Sequence, residues 1–484
     1  MLNLLQGGER ARAYPCRTLM RSSAVAGATV AVAVAAVLYP SAPGAELTTS
    51  WLKLTALDRA AWMLFMVCGM HGSDGAGTSI FGAAWRQCFE GVTLDLLGRA
   101  ATGDWDGVLS EDVRFEAPAL GSSPARELAV RVYREGDGSY NRAHPEQRPV
   151  LLWLHGGGFT IEHTYSRDYD LACRALAAEG GWVVVSVEYR LAPEHPFPAA
   201  LHDAYAALTW LAAAAAPGRS RPPPLASADL ARLAVGGDSA GGNMAAVLAV
   251  MARDKLDPEV TLPLPPLLPL TIPLTLTLTL TQPNPYPNPT LTLTRILTLT
   301  RILTPNRNPR QGQPAAVELP VRHQLLVYPV TFPPGGATES RRVKRHTAMF
   351  IGAGAFDFFS ASYLSQHQPA GQYQPAGDVG HQLDYLDGLL WVRTDPRVSP
   401  FAAANGHAGL APATVILAEV DPLVDEGRQY AAALTTAAVP THVLEYRMPH
   451  GFFILGHALA LPEAAAAVRE AAHAVNQGLR RADP

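Results

Sequence analysis

The segment that most constrains the fold is the run WVVVSVEYR at 182–190, which consists mainly of β-branched and aromatic residues. Such a run is typical of a strand buried on both faces of a parallel sheet, because a strand with one wet face would alternate apolar and polar side chains. The next segment, 198–215, has the periodicity of an amphipathic helix. This part of the chain therefore predicts a sheet that is covered by helices.

Strands and helices alternate along the rest of the chain from about residue 110. Segment 231–254 has the pattern of a strand, a glycine turn and a helix, and further helices are predicted at 426–437 and at the carboxyl terminus. The other predicted strands are 127–135, 148–156, 322–330, 412–420 and 441–448. This alternation predicts an α/β fold with a mostly parallel sheet.

Composition and charge exclude several classes of function. The 484 residues are 48% hydrophobic and 17% charged with a formal net charge of −4, as expected of a globular protein without a nucleic-acid partner. The chain has no C-x-x-C spacing, so we expect no zinc site. Free thiols are our default, although Cys68 and Cys88 could pair in an oxidising compartment. The four cysteines are Cys16, Cys68, Cys88 and Cys173.

The first 45 residues have the pattern of a targeting segment. Four arginines precede an apolar run at 24–38, which is followed by small residues up to Ala45. This order is typical of a secretory signal peptide or an uncleaved anchor, with an organelle transit peptide as the alternative. We expect delivery to a membrane-bound compartment, with membrane association through this segment left open. A disordered or misassigned amino terminus is the remaining alternative.

Residues 273–309 read PLTLTLTLTQPNPYPNPTLTLTRILTLTRILTPNRNP, an alternation that by itself would predict a long strand. A repeated CTAACC hexamer encodes Leu-Thr in one reading frame, Asn-Pro in another and a stop codon in the third. We therefore interpret about 261–310 as translated tandem-repeat DNA, either a retained intron or a repeat expansion. The whole insertion spans 258–316, and we expect it to be disordered because proline is frequent and its apolar side chains have no partner.

The turn Gly237-Asp238-Ser239-Ala240-Gly241 fits the pattern G-x-S-x-G. In a nucleophile elbow the serine has a strained backbone, and small neighbours leave its hydroxyl clear of the sheet. The pattern alone is weak evidence, and a plain glycine-rich turn is the alternative. Because it follows a predicted strand and precedes a predicted helix, we predict that Ser239 is a nucleophile.

A second glycine motif, His155-Gly156-Gly157-Gly158, stands at the exit of another predicted strand. Consecutive glycines leave backbone N–H groups free to converge on a developing oxyanion. With the N–H of Ala240 they would form an oxyanion hole. We expect His155 to brace the loop rather than to transfer protons, and a flexible loop is the alternative.

A serine nucleophile needs a base, and the base needs an acid that orients it. Asp421 directly follows one predicted strand and His450 follows another. Both would lie at carboxyl ends of strands, on the edge of the sheet where Ser239 is expected and where open α/β sheets place their sites. The order serine, acid, histidine also fits this architecture. The weaker candidates are His442, His457 and, as the acid, Asp425.

Six motifs of this chain occur together in one known family. They are HGGGF (155–159), YRLAPEHPFPAAL (189–201), GDSAGGN (237–243), DPRVSP (395–400), DPLVDEG (421–427) and HGF (450–452). Over about 115–255 and 318–455 the chain resembles the hormone-sensitive lipase family of α/β-hydrolase esterases. That family includes bacterial carboxylesterases and arylacetamide deacetylase-like enzymes.

The resemblance implies an α/β-hydrolase fold, with a helical cap added to the sheet and its covering helices, and an activity that needs no metal or organic cofactor. The catalytic domain would comprise 111–257 and 317–484. The cap would comprise the amino-terminal helices at 46–110 and an excursion at about 333–390. The site residues that the resemblance implies are Ser239 as nucleophile, Asp421 as acid, His450 as base, and Gly157, Gly158 and Ala240 as oxyanion donors.

We therefore expect a serine esterase that cleaves small-molecule carboxylic esters, with short to medium acyl chains, through an acyl-enzyme. A non-catalytic receptor on the same fold, such as the plant gibberellin receptors, is one alternative, although those receptors have lost the triad histidine. Amide or peptide hydrolysis is a second alternative. The third is an inert product, if the repeat is retained and prevents folding. The sequence does not indicate the oligomeric state.

Overall fold

The computed structural model describes residues 105, 107–121, 123–136, 147–216, 218, 221–255, 319, 321–333, 336, 338–344, 348–351, 355–365, 390–403 and 405–481. The predicted targeting segment, nearly all of the amino-terminal cap segment and the repeat insertion lie outside these residues, as do Cys16, Cys68 and Cys88. The chain divides into one compact unit, Met1–Val260 with Val317–Pro484, and a second unit, Thr261–Ala316. All of the second unit lies outside the described residues.

The secondary structure follows the predicted alternation. The strands are β1 (Val108–Ala117), β2 (Arg126–Glu135), β3 (Arg148–Leu154), β4 (Val183–Val187), β5 (Ala228–Asp238), β6 (Val321–Val327), β7 (Ala413–Val420) and β8 (Thr441–Pro449). The helices are α1 (Arg167–Gly180), α2 (Ala199–Ala214), α3 (Ala240–Asp254), α4 (Glu339–Lys344), α5 (Ala355–Tyr363), α6 (Val424–Thr436), α7 (Phe452–Ala458) and α8 (Pro462–Arg481).

All these strands join one sheet in the order β1-β2-β4-β3-β5-β6-β7-β8. Strand β2 runs antiparallel to both of its neighbours, whereas the pairings from β4 to β8 are parallel. Helices α2, α3 and α6 contribute to the apolar core on one face, and α1, α7 and α8 contribute to the core on the other. The predicted α/β fold, with a mostly parallel sheet between two helical layers, is confirmed.

Strand β4 shows why the sheet is sandwiched in this way. Every residue of Val183–Val187 is buried, and successive side chains point to opposite faces. Val183 and Val185 belong to the core on one face, and Val184 belongs to the core on the other. Each fully buried valine stabilises the fold by about 1.5–3 kcal/mol relative to an exposed one. The prediction from WVVVSVEYR is confirmed.

Strand β1 begins at Val108, within the last residues of the predicted amino-terminal cap segment, 46–110. The strand was hard to predict because its charged side chains lie on a partly exposed sheet edge. Arg131 of β2, for example, pairs with Asp112 of β1 at 2.7 Å. Such cross-strand ion pairs suit an edge strand, whose open side is protected from further pairing by charge.

The parallel strands place four candidate residues at one edge of the sheet. His155 follows β3 and Ser239 follows β5, and Asp421 and His450 follow β7 and β8. Because the carboxyl ends of parallel strands meet at the same edge, residues far apart in sequence come together there. The repeat insertion falls between α3 and β6, in the connection between two neighbouring strands, β5 and β6.

Candidate active site

Ser239 lies in a sharp turn between β5 and α3. Its backbone has φ 54° and ψ −115°, a combination that residues with side chains rarely adopt. The last residue of β6 and the segment after it hold the turn there: Ser239 N–H donates to Val327 O at 2.9 Å, and Val330 N–H donates to Ser239 O at 3.1 Å. These contacts stabilise a conformation that costs about 1–3 kcal/mol by itself.

Close backbone approach explains the glycines on either side of Ser239. A Cβ added to Gly237 would lie 2.5 Å from Leu154 O, and one added to Gly241 would lie 2.0 Å from the same oxygen. Neither distance is compatible with a side chain, so both positions require glycine. The turn therefore packs directly against the end of β3.

A continuous hydrogen-bonded chain joins Ser239, His450 and Asp421. The Ser239 hydroxyl lies 3.0 Å from His450 Nε2, and His450 Nδ1 lies 2.7 Å from Asp421 Oδ2. A carboxylate can only accept, so Nδ1 carries the proton and Nε2 is left to accept from the serine. The three side chains are buried, with exposed fractions of 7%, 5% and 0%. This arrangement prepares the imidazole to take a proton from the hydroxyl.

The positions of Asp421 and His450 follow from strand pairing. Val420 of β7 lies opposite Pro449 of β8 in the parallel register. Asp421 directly follows Val420 and His450 directly follows Pro449, so the two residues come side by side. The second oxygen of Asp421 accepts the N–H of Leu423 at 2.8 Å, which fixes the plane of the carboxylate. The imidazole is therefore oriented by a group that is itself held by the backbone.

The glycine loop after β3 provides candidate oxyanion donors. Gly157 has φ 91° and Gly158 has φ 59°, and a Cβ at Gly157 would lie 2.2 Å from Ile161 O. Among the residues that the structure describes, none accepts a hydrogen bond from the N–H of Gly157, Gly158 or Ala240. Three backbone donors are thus available beside Ser239. Their role as an oxyanion hole stays a prediction.

His155 lies inside this loop and is fully buried. Its ring stacks on Tyr189 with a centroid distance of 4.0 Å, and the Tyr189 hydroxyl donates to His155 O at 2.6 Å. Burial lowers the pKa of His155 to about 3, so the imidazole is neutral near pH 7. A neutral ring packed against Tyr169 and Tyr189 is expected to hold the loop in place and not to transfer protons.

Asp238 and Gly156 immediately precede Ser239 and Gly157 in the sequence. Burial raises the pKa of Asp238 to about 7. The hydrogen bond from Tyr169 favours the charged carboxylate and so opposes part of this rise. The Tyr169 hydroxyl donates to Asp238 Oδ2 at 3.0 Å and accepts the N–H of Gly156 at 2.8 Å. The residue before the predicted nucleophile is therefore linked through a phenol to the glycine loop.

The weaker candidates lie elsewhere. Asp425 Oδ2 accepts the N–H of Ser340 at 2.7 Å. His442 is exposed within β8, and His457 is buried in α7, where burial lowers its pKa to about 4. In the part of the chain that the structure describes, no hydrogen bond joins any of these three to Ser239.

Several residues that support the turn at Ser239 were not predicted from the sequence. Asn243 of α3 donates to Val330 O at 2.9 Å and to Val398 O at 2.8 Å, so GDSAGGN and DPRVSP meet in space. The ring of Tyr328 packs 4.6 Å from that of His450. No single-residue pattern indicated these contacts, although Asn243 and Val398 both belong to motifs that the resemblance includes.

The described residues include neither a cluster with the makeup of a metal site nor a helix suited to crossing a membrane. No group of three or more His, Cys, Asp or Glu residues among them could hold a metal ion. Within the same ranges, no helix has both the length and the hydropathy needed to cross a membrane.

Known proteins resemble this chain over most of its length. A family profile described as alpha/beta hydrolase fold matches residues 151–319 and 309–454. Carboxylesterase NlhH of Mycobacterium tuberculosis is 28% identical over 375 residues, 77% of this chain and 85% of the relative. Carboxylic ester hydrolase LipN of the same species is 31% identical over 339 residues, 69% of this chain and 62% of the relative. A solved esterase from Pyrobaculum calidifontis has 29% identity and a TM-score of 0.52, covering 81% of this chain and 91% of that one.

Proposed function

This chain belongs to the hormone-sensitive lipase-like family of α/β-hydrolase carboxylesterases, and from that premise we propose that Ser239, His450 and Asp421 perform its reaction. The protein is a serine hydrolase of carboxylic esters. The observation that carries the assignment of residues is the hydrogen-bonded chain from the Ser239 hydroxyl through His450 to Asp421, at 3.0 Å and 2.7 Å.

In the proposed reaction, Ser239 Oγ attacks the ester carbonyl while His450 Nε2 takes the hydroxyl proton. Asp421 stabilises the imidazolium that forms and holds its Nδ1–H in place. The tetrahedral intermediate then expels the alcohol, which takes the proton from His450, and an acyl-enzyme remains. A water molecule, deprotonated by His450, attacks this ester and releases the carboxylic acid and free Ser239.

The developing oxyanion would be bound by the amides of Gly157, Gly158 and Ala240. Their N–H groups lie on the loop and the helix start beside Ser239 and have no described acceptor in the protein. Removal of a single oxyanion donor typically costs about 2.7–4 kcal/mol of transition-state stabilisation. The backbone donors would therefore contribute nearly as much as the base.

We propose small esters with short to medium acyl chains as the substrates. Aromatic side chains support this choice, because the ring of Phe359 on α5 lies 2.3 Å from where a Cβ of Gly158 would be. Phe159, the residue after Gly158, stacks on Tyr363 of the same helix with a centroid distance of 3.7 Å, and both of these residues are buried. An apolar acyl group would meet aromatic surface next to the proposed oxyanion hole, and α5 would act as part of the predicted cap.

The test is hydrolysis of p-nitrophenyl esters from acetate to palmitate, with Ser239→Ala as the matched variant. We expect the highest kcat/KM at short to medium chains and a loss of about 10⁴-fold or more in Ser239→Ala. A fluorophosphonate probe should label the parent protein and not the variant. A non-catalytic receptor would stay unlabelled, and a variant that retained most of its activity would exclude Ser239 as nucleophile.

A further inference from the structure

Tyr169 on α1 is a buried residue that the proposed mechanism does not use. Its side chain is 3% exposed, and its hydroxyl makes the two hydrogen bonds described above, from Gly156 N–H and to Asp238 Oδ2. Gly156 immediately precedes Gly157, and Asp238 immediately precedes Ser239. One hydroxyl thus joins the two backbone segments that carry the proposed oxyanion donors.

The sheet cannot hold these two segments together by itself. The paired register of β3 and β5 ends at Leu154 and Gly237, so the residues beyond that pair have left the backbone ladder. There the two backbone segments lie so close that a Cβ added at Gly156 would come within 2.4 Å of Asp238 Oδ2. The Tyr169 hydroxyl bonds both the Gly156 amide and the Asp238 carboxylate, beyond the last paired residues of β3 and β5.

We propose that Tyr169 is a positioning residue for the oxyanion hole, which sets the separation of the Gly157 loop from the Ala240 amide through its bridge. This inference rests on the function proposed above. Oxyanion donors act within a narrow distance of about 2.7–3.1 Å from the developing charge, so a small shift of the loop weakens them. A misplacement of about 1 Å typically costs about 10²-fold in rate.

Removal of the hydroxyl has a predictable structural consequence. The Gly156 N–H would then lose its hydroxyl acceptor and the Asp238 carboxylate its hydroxyl donor, and both are buried polar groups that require a partner. Asp238 Oδ1 already has no hydrogen-bond partner among the described residues. The loop is therefore expected to move toward the turn, which carries the amide of Gly157 away from its original position.

The test compares Tyr169→Phe with Tyr430→Phe in the full chain. Both changes delete one buried hydroxyl, but the hydroxyl of Tyr430, on α6, has no hydrogen-bond partner among the described residues. We expect kcat for p-nitrophenyl butyrate to fall about tenfold to hundredfold in Tyr169→Phe, with KM within about twofold, whereas Tyr430→Phe keeps both constants within about twofold. Thermal unfolding of both variants controls for stability.

A thionoester substrate separates loss of the oxyanion hole from loss of the base. Its sulfur accepts hydrogen bonds poorly, so its hydrolysis depends less on the backbone donors, and we expect its rate to fall less than that of the matching ester in Tyr169→Phe. Equal losses on both substrates, an effect on KM alone, or a lowered melting temperature with unchanged kcat would overturn the proposal. Failure of the parent protein to hydrolyse esters would instead overturn the proposed function.

Discussion

The two halves of the site are held in different ways. Asp421 and His450 are the next residues beyond a paired position of β7 and β8, so backbone hydrogen bonds of the sheet place them side by side. The glycine loop and the turn at Ser239 lie beyond the last pair of β3 and β5, so tight glycine packing and the Tyr169 bridge hold these two segments to each other.

This difference teaches where each half is sensitive to substitution. In the half built from Asp421 and His450, the backbone would survive the loss of a side chain, so a substitution there removes chemistry and leaves the fold. In the half that holds Ser239, the proposed oxyanion donors are backbone amides, which no side-chain substitution removes. Their geometry depends on side chains, or on the absence of side chains, at neighbouring positions.

The largest expected effect is that of His450→Ala. Because the strands β7 and β8 remain paired without the imidazole, we expect a folded protein whose kcat falls by about 10⁴-fold to 10⁶-fold. His442→Ala, an exposed position on the same strand, is the control and should stay within about twofold. Steady-state kinetics with p-nitrophenyl butyrate measure both. Retention of more than about a tenth of the parent activity would contradict the role of His450 as the base.

A smaller effect is expected from Gly157→Ala in the other half. The added Cβ would lie 2.2 Å from Ile161 O, so the loop must move, and we expect kcat to fall about 10²-fold. Gly406→Ala is the matched control, because Gly406 also has a positive φ, 64°, but has no atom within 4 Å of the added Cβ. Both variants carry backbone strain, and only Gly157→Ala should lose kcat. Equal kinetics in the two would show that the loop geometry does not matter.

The smallest expected effect is a change in stability with pH at Asp238. Its pKa is raised from 3.8 to about 7 in the folded protein, so between these values the folded state keeps a proton that the unfolded state has lost. The contribution of Asp238 to the free energy of unfolding therefore falls as pH rises from about 4 to 7, by a few kcal/mol at most.

Asp238→Asn removes this titration and tests it directly. We expect the melting temperature of the variant, relative to the parent, to rise between pH 4.5 and pH 8. A difference in melting temperature that stays constant over this range would contradict the raised pKa of Asp238.

Much of the fold could be predicted from local sequence patterns. The run at 182–190 predicted a strand buried on both faces, and G-x-S-x-G after a strand predicted a turn that only small residues tolerate. Strand β1 was missed because charged side chains are frequent in it, and helix α1 was missed because buried polar residues interrupt its apolar face. The core-facing side of α1, for instance, includes Asp168 and Asp170 beside its apolar residues. Tyr169, on that helix, was missed with it.

The site, like the fold, has features that local sequence determines and features that depend on the tertiary structure. By itself the sequence determined which residues could react and that several stand at strand ends, because residue type and strand periodicity are local properties. The sequence favoured His450 over His442 and His457, but only the tertiary structure brings its Nε2 within 3.0 Å of the Ser239 hydroxyl, 211 residues away. Strand order and register settle such pairs, and they depend on burial summed over the whole sheet, which no short segment of the chain records.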